Sequence, residues 1–260
     1  MSYCGWGEIM KCLVLAAGYA TRLYPLTENF PKPLLKVNNK TILDYLVDDI
    51  NNSNKIDEFI IVSNHKFVDF FNEWKNNKDI NTKITIIDDG TISNETRLGA
   101  VKDIELAINE LNINDDLMVI AGDNLLDFSL CEFIDYFENK KTTCIMRFYQ
   151  ENIQKIKKSA EVIINSEDMV LSMREKPENP SSNWCVPPFY IYSKNDVKMV
   201  ESALKDGCKY DAPGSFIEYL SKKSKIHSME MPGNRYDIGT LESYKEICNI
   251  FENRERGLKL

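Results

Sequence analysis

The chain has 260 residues, a formal net charge of −8 at pH 7, 43% hydrophobic residues and 28% charged residues. This composition is typical of a globular protein that is long enough to bury a sizeable core. The acidic balance argues against a general nucleic-acid binder, which would carry basic clusters, and no apolar run reaches the length of a membrane span. We therefore expect neither a nucleic acid nor a membrane as a partner, and we recognise no signal peptide.

The seven cysteines are widely separated and form no C-x-x-C pair, and the chain has two histidines. The sequence therefore contains no zinc-binding spacing. An odd number of scattered cysteines is typical of free thiols in a reducing compartment, so we expect a cytoplasmic protein.

Strands alternate with helices in the first half of the sequence. Short apolar runs predict strands at 11–16, 58–63, 83–87, 117–121 and 142–146. Helical spacing of apolar residues predicts helices at 41–50, with Thr41 as N-cap, and at 98–111. A capping box at Ser129 and Glu132 predicts a third helix that ends near residue 138. This alternation predicts right-handed βαβ crossovers and a largely parallel sheet, as in an α/β fold.

The second half of the sequence is less regular. The pattern predicts a hairpin of 160–164 and 169–173, a strand at 186–192, a helix at 193–204 capped by Ser193, and an amphipathic final helix at 241–255. Because no Gly-rich or Ser-rich linker interrupts the chain, we predict a single domain over residues 10–260.

The segment 13–37 combines a short apolar strand with a loop that carries Gly18, Arg22 and Lys32. A loop of small residues after a buried strand exposes backbone N–H groups at the sheet edge where ligands bind in open α/β sheets. Arginine and lysine can hold the oxygens of a polyphosphate. The segment matches neither the P-loop nor the G-x-G-x-x-G fingerprint. It nevertheless predicts nucleotide chemistry.

This segment resembles the signature of the sugar-1-phosphate nucleotidyltransferases, L-A-G/A-G-x-G-T/S-R-L-x-P-L-T followed by P-K-P-L-L. The matching positions are Leu15, Ala16, Ala17, Gly18, Thr21, Arg22, Leu23, Pro25, Leu26, Thr27, Pro31, Lys32, Pro33, Leu34 and Leu35. The resemblance implies an α/β, Rossmann-like nucleotidyltransferase fold with a mostly parallel mixed sheet flanked by helices. It also implies nucleotide binding by Leu15, Ala16, Ala17 and Gly18. Ala20 stands where the family has a second glycine, so we expect weaker or slightly re-aimed nucleotide binding.

Two aspartates stand next to predicted structural elements, at places suited to a hard cation. Asp123 comes directly after a buried strand, with Gly122 allowing close approach, and Asp237 precedes the final helix. From the residues alone, Asp123 could equally serve as a cap for the following turn, and Asp237 is better explained as the N-cap of the final helix. Their motifs, G-D-N and D-I-G-T, resemble those that hold one Mg²⁺ in the family. The resemblance therefore implies a magnesium site formed by Asp123 and Asp237.

Further motifs resemble the substrate-binding parts of the family. Glu175 and Lys176 match an E-K-P motif, which implies a lysine near the phosphate of the sugar phosphate and a glutamate near sugar hydroxyls. An exposed charged turn is the alternative interpretation of these two residues. Gly99 corresponds to a glycine that lets the nucleobase lie against backbone, and Asn94 to a polar residue that contacts the base. The region around both is matched loosely, so the choice of nucleotide stays open.

Pro188 occupies the position of a glycine that lies close to sugar hydroxyls in the family. Proline removes a backbone N–H and stiffens the strand. We therefore expect an ordinary glucose ring to be disfavoured and a modified sugar, or a smaller phosphate, to fit better.

Together, these motifs imply a magnesium-dependent enzyme that joins an NTP and a sugar 1-phosphate into an NDP-sugar and pyrophosphate. The resemblance implies catalytic roles for Arg22, Lys32, Asp123, Lys176 and Asp237. One alternative is a CTP-dependent cytidylyltransferase acting on a non-sugar phosphate such as phosphocholine. Another is a non-catalytic regulatory subunit that binds nucleotide sugars. A homo-oligomer stays open.

Residues 1–9 resemble nothing in the family and are expected to be an N-terminal extension outside the domain. Residues 7–10 can be encoded as GGA GAA ATA ATG, which places a purine-rich ribosome-binding sequence just before an ATG. We therefore expect translation to begin naturally at Met10, the alternative being a short functional arm.

Overall fold

A computed structural model describes residues 10–255 of the protein, with side chains up to residue 253. The strands are β1 (Met10–Leu15), β2 (Lys36–Val37), β3 (Lys40–Thr41), β4 (Ile56–Ser63), β5 (Lys83–Asp88), β6 (Leu117–Ala121), β7 (Asn124–Leu126), β8 (Thr143–Tyr149), β9 (Ala160–Ile164), β10 (Val170–Glu175), β11 (Trp184–Val186), β12 (Phe189–Tyr192), β13 (Ile226–Glu230) and β14 (Arg235–Asp237). The helices are α1 (Ile42–Asn51), α2 (Val68–Asn76), α3 (Ala100–Leu111), α4 (Cys131–Lys140), α5 (Ile153–Ile156), α6 (Lys194–Val197), α7 (Val200–Lys205), α8 (Gly214–Leu220) and α9 (Leu241–Glu255).

Within this part of the chain, ten strands form one mixed sheet in the order β10-β9-β11-β8-β12-β6-β1-β4-β5, with β13 beside β8. Strands β6, β1, β4 and β5 are parallel, whereas β12 joins β6 to the rest of the sheet in antiparallel pairs. The predicted α/β fold, a mixed sheet with a parallel core, is confirmed. Because the four core strands are parallel, the loops that follow them meet at one edge of the sheet.

Apolar side chains cover both faces of the sheet. Leu13 of β1 belongs to the cluster on one face, together with Val101 and Ile104 of α3. Val14 of β1 belongs to the other, which includes residues of α1, α2 and α4. A third cluster lies beneath α9 and joins it to the loop after β1, to β7 and to the segment after β14. Its buried members are Leu23, Leu35, Val37, Ile42, Leu125, Ile238, Ile247 and Phe251.

Three local predictions differ from the structure. The strand predicted at 186–192 is two strands, β11 and β12, because Pro187 and Pro188 lack the N–H groups that would continue one ladder. The helix predicted at 193–204 is divided into α6 and α7. The capping box at Ser129 and Glu132 is wrong: Leu130 is the N-cap of α4, and Ser129 Oγ accepts a hydrogen bond from the Cys131 N–H at 3.1 Å.

Three other local predictions, a helix cap, a hairpin and a helix, are confirmed. Thr41 caps α1 in a reciprocal capping box, in which its hydroxyl accepts from the Asp44 N–H and its own N–H donates to the Asp44 carboxylate, each at 3.0 Å. The 160–164 hairpin and the 241–255 helix occur as β9–β10 and α9. In the described residues the six cysteines are free thiols, and no helix has the length and apolar character needed to cross a membrane. The extension at residues 1–9 lies outside the described residues.

Gly122, directly after β6, allows two buried segments to approach closely. Its N–H donates to the Leu15 carbonyl at 3.0 Å, and an added Cβ would stand 2.8 Å from Val14 Cγ1. We expect Gly122→Ala to lower the free energy of unfolding by about 1–3 kcal/mol, the usual cost of overpacking. Urea unfolding measures the change.

Gly18→Ala is the matched control, because no atom lies within 4 Å of the Cβ that it would add. Its free energy of unfolding should stay within about 0.5 kcal/mol of wild type, as for substitutions away from packed features. Equal losses in both variants would contradict the steric explanation.

Candidate functional site

A cavity of about 550 Å³ lies at the sheet edge where the core strands end. Most of the residues singled out in the sequence line it. These are Leu15, Ala16, Ala17, Gly18, Arg22, Lys32, Asn94, Gly99, Asp123, Glu175, Lys176 and Asp237. Gly122 and Pro188 are not among the lining residues. Gly122 is packed behind Asp123 against β1, and the Pro188 carbonyl accepts from the Ala121 N–H at 3.1 Å within the sheet.

The loop after β1 is held by hydrogen bonds to its backbone. The Asn64 amide donates to the Ala17 carbonyl at 2.9 Å, and the buried Thr27 hydroxyl donates to the Ala20 carbonyl at 2.8 Å. Ala20 has φ 46° and ψ 41°, the left-handed conformation. That conformation costs a non-glycine residue about 1–2 kcal/mol, which explains why the resembling signature has glycine there. The alanine keeps the loop geometry at a cost in strain.

Lys32 lies between the two aspartates that were predicted to bind a metal. It belongs to a short 3-10 helix, Lys32–Leu34, and is only 7% exposed. Its Nζ donates to Asp123 Oδ2 at 2.7 Å and approaches Asp237 Oδ1 at 3.4 Å. Two carboxylates from distant parts of the chain therefore converge on one cationic group.

A short ribbon of β7 and β14 brings these carboxylates together. The two strands are antiparallel, and Asn124 is paired with Asp237. The buried Asn124 amide donates to Asp123 Oδ1 at 2.8 Å, while its oxygen accepts from Arg235 Nη1 at 2.7 Å. The sequence analysis missed this ribbon, because strands of three residues carry no readable periodicity.

Glu175 and Lys176 line the cavity at the end of β10. Burial raises the pKa of Glu175; Lys176 lowers this pKa, and Glu218 and Asp211 raise it by smaller amounts. The carboxylate of Glu175 occupies the space that a side chain at Gly214 would fill. Lys176 has φ 48°, a left-handed backbone conformation, and its side chain is exposed. Gly214, which the sequence analysis did not single out, therefore leaves room for the Glu175 carboxylate.

Two further carboxylates line the cavity and were also missed. Asp89 follows β5, and Asp103 lies in the first turn of α3, where it is 5% exposed. Burial, with a smaller effect of nearby Asp89, raises the pKa of Asp103 to about 7. Burial also raises the pKa of Asp89. The D-D-G sequence at the end of a predicted strand could have indicated Asp89. No sequence pattern indicates that Asp103 is buried.

The model of the family described as nucleotidyl transferase matches residues 11–254 of the chain. The chain is 25% identical over 231 residues to the bifunctional protein GlmU of Methanocaldococcus jannaschii, covering 88% of this chain and 51% of that protein. It is 25% identical over 251 residues to the glucose-1-phosphate adenylyltransferase of Fervidobacterium nodosum, covering 90% of this chain and 59% of that protein. The chain thus spans little more than half the length of these curated relatives.

A solved structure of a UDP-glucose pyrophosphorylase in complex with UDP-glucose is similar to this fold, with a TM-score of 0.77 and 21% identity. The superposition covers 95% of this chain and 99% of that one. The similarity extends over nearly the whole of both chains and confirms the Rossmann-like nucleotidyltransferase fold.

The Asp103 carboxyl should make stability depend on pH. Between pH 4 and about 7 the folded protein keeps a proton on Asp103 that the unfolded chain has lost, so stability should fall as pH rises through this window. In the Asp103→Asn variant, this contribution to the pH dependence of stability is absent. We therefore expect the substitution to stabilise the protein at pH 8 relative to its effect at pH 4.5, by about 2–3 kcal/mol, because one unit of pKa difference corresponds to about 1.4 kcal/mol.

Urea unfolding at the two pH values measures the difference. Asp115→Asn, at an exposed loop position, is the control. A pH-independent effect of Asp103→Asn would contradict the assignment.

Proposed function

The chain belongs to the nucleotidyl transferase family, and we propose that it is a magnesium-dependent sugar-1-phosphate nucleotidyltransferase. It would join an NTP and a sugar 1-phosphate into an NDP-sugar and release pyrophosphate. The observation that carries the proposal is the convergence of Asp123 and Asp237 on Lys32. Arg22 and Lys176 line the same cavity. A site that only bound a nucleotide sugar would not need two carboxylates around one cation position.

The donor set fits Mg²⁺. This ion prefers oxygen ligands and is commonly bound through one or two carboxylates, with substrate phosphates and water completing the shell. Asp123 and Asp237 offer that pair, at 38% and 55% side-chain exposure. In residues 10–255 no group of three or more His, Cys, Asp or Glu side chains that could hold a metal ion occurs. When bound, Mg²⁺ supplies positive charge to the phosphate oxygens of both substrates.

The protein's own residues position the two substrates. The N–H groups of the loop after β1, with Arg22 and Lys32, would hold the triphosphate. Lys176 would hold the phosphate of the acceptor, whose oxygen attacks the α-phosphorus of the NTP. The bond from that phosphorus to the bridging oxygen breaks, and pyrophosphate leaves with the electron pair. Because no covalent enzyme intermediate forms, catalysis rests on positioning and charge neutralisation.

The acceptor would lie on the side of Glu175 and Asp237. Glu175 lines the cavity, where its carboxylate would accept hydrogen bonds from sugar hydroxyls. A second cavity of about 610 Å³ shares Asp237 and is lined by Lys158, Ser159 and Arg235 among others. This space supports an acceptor larger than a bare phosphate. The expected effect of Pro188 on acceptor choice stays a prediction.

Pyrophosphate release tests the proposal, measured over a matrix of ATP, CTP, GTP, UTP and TTP with several sugar 1-phosphates and phosphocholine. We expect Asp123→Asn and Asp237→Asn each to lose 100-fold or more in turnover, about 3 kcal/mol of transition-state stabilisation. The double variant should be far from additive, since both residues serve one ion. Binding of Mn²⁺ in the presence of NTP, followed by electron paramagnetic resonance, should weaken in parallel.

Asp115→Asn is again the matched control and should keep wild-type turnover. Near-wild-type turnover of either site variant would refute the magnesium assignment. Release with CTP and phosphocholine alone would favour the cytidylyltransferase. Binding of NDP-sugars without any release would favour the regulatory subunit.

The two exposed cations should act on different substrates. Lys176→Ala should chiefly raise the KM for the acceptor phosphate, and Arg22→Ala should chiefly raise the KM for the NTP. The loss of a charge-assisted hydrogen bond of about 1.5–3 kcal/mol corresponds to roughly 10- to 150-fold in KM. Steady-state kinetics with each substrate varied in turn measures both effects. If both variants raised the KM of the same substrate, the division of roles would be wrong.

A further inference from the structure

The cavity has an acidic end that the proposed chemistry of the phosphates does not use. Asp89 follows β5 and Asp103 lies on α3, and both line the cavity. In the sheet, β6 and β4 lie on opposite sides of β1, and β5 follows β4. Asp89 and Asp123 therefore lie on opposite sides of the loop that follows β1.

The carboxylates of Asp89 and Asp103 each have one buried oxygen without a hydrogen-bond donor in the described chain. Asp103 Oδ1 and Asp89 Oδ2 are buried without a hydrogen-bond partner among residues 10–255. Buried polar atoms are normally paired, and leaving one unpaired costs about 1–3 kcal/mol. Since Asp103 is 5% exposed and forms part of the cavity wall, its orphan oxygen points to a ligand that donates hydrogen bonds.

Neighbouring groups hold Asp89 in place but do not satisfy both carboxylates. Asp89 Oδ1 accepts from the N–H and the hydroxyl of Thr91, each at 2.7 Å, and the Thr91 hydroxyl lies 3.3 Å from that of buried Tyr19. Arg97 is engaged elsewhere, with Asp211 at 2.9 Å and the Asn94 carbonyl at 2.9 Å. Arg97, a cation of the cavity wall, is therefore paired with Asp211 and not with the acidic end.

The charge of this end decides which part of a nucleotide can enter it. Phosphate groups are repelled by the Asp89 carboxylate and attracted by Arg22, Lys32 and Lys176, which line the same cavity. The nucleobase is the part of the nucleotide that remains, and it would extend past the loop after β1 to Asp89 and Asp103. Cytosine, adenine and guanine carry an exocyclic amino group, whereas the corresponding edge of uracil or thymine has carbonyl acceptors around a single N–H.

We propose that Asp89 and Asp103 select the nucleobase, and that the NTP substrate is one whose base carries an exocyclic amino group: ATP, CTP or GTP rather than UTP or TTP. The proposal rests on the proposed function and deepens it. The similar proteins leave the base open, since one is an adenylyltransferase and another was solved with UDP-glucose. A site built to accept a substrate N–H discriminates strongly, because a base without the donor leaves the buried acceptors unpaired.

The test measures kcat/KM for pyrophosphate release with ATP, CTP, GTP, UTP and TTP. Wild type should prefer at least one of the first three over UTP and TTP by 100-fold or more. Asp103→Asn and Asp89→Asn should each reduce this preference at least 10-fold, since the new amide can donate to a uracil carbonyl. Asp115→Asn should leave the preference unchanged. The three amino-bearing substrates are separated by the same measurement.

A wild-type preference for UTP or TTP, or no preference among the five nucleotides, would overturn the inference. An equal loss of kcat/KM with all five nucleotides in both variants would also overturn it, because such a loss indicates a general structural effect. Should one variant fail to fold, as judged by circular dichroism, the other carries the test.

Nucleotide binding by isothermal titration calorimetry, with Mg²⁺ present and no acceptor, separates this inference from the proposed function. If pyrophosphate is never released but wild type still binds ATP, CTP or GTP more tightly than UTP, with loss of that preference in Asp103→Asn, the base selection stands and the enzymatic proposal falls. If pyrophosphate is released without any base preference, the enzymatic proposal stands and the base selection falls.

Discussion

The candidate site depends on one buried charge. An ammonium group removed from water is stable only when it is paired, and Lys32 is 7% exposed. Asp123 and Asp237 supply the pairing, so the position of Lys32 determines where both carboxylates lie. Its own position is set by a 3-10 turn with prolines on each side of it. A cluster of opposite charges in one cavity is also what a reaction between two anionic phosphates requires.

The structure around Lys32, Asp123 and Asp237 holds these three side chains in position. Pairing of β7 with β14 aligns the two aspartates, and Asn124 links Asp123 to Arg235 through its amide. Beneath the ribbon, the apolar cluster under α9 buries Leu23 and Ile238, the residues next to Arg22 and Asp237. Apolar packing therefore supports the polar groups, and the C-terminal helix contributes to the site without lining the cavity.

The sequence by itself determined the features that rest on local patterns. Long buried runs such as β4 and β6 predict core strands, since a strand covered on both faces is apolar throughout. Thr41 predicts the start of α1, because a cap is satisfied within one turn of helix. The loop after β1 and the motifs around Asp123, Lys176 and Asp237 could be assigned before any fold was known, because each is a contiguous stretch.

Only the tertiary structure decided which of these stretches meet and what is buried between them. The β7–β14 pairing joins segments too short to be recognised, and its stability comes from partners more than a hundred residues away in the chain. The strands on the two sides of Pro187 and Pro188 pair with different neighbours, β11 with β8 and β9 and β12 with β6 and β8, and this pairing depends on the assembled sheet. The environment of Asp103 depended on how α3 packs against the sheet, because burial is a property of the assembled layers and not of the residue.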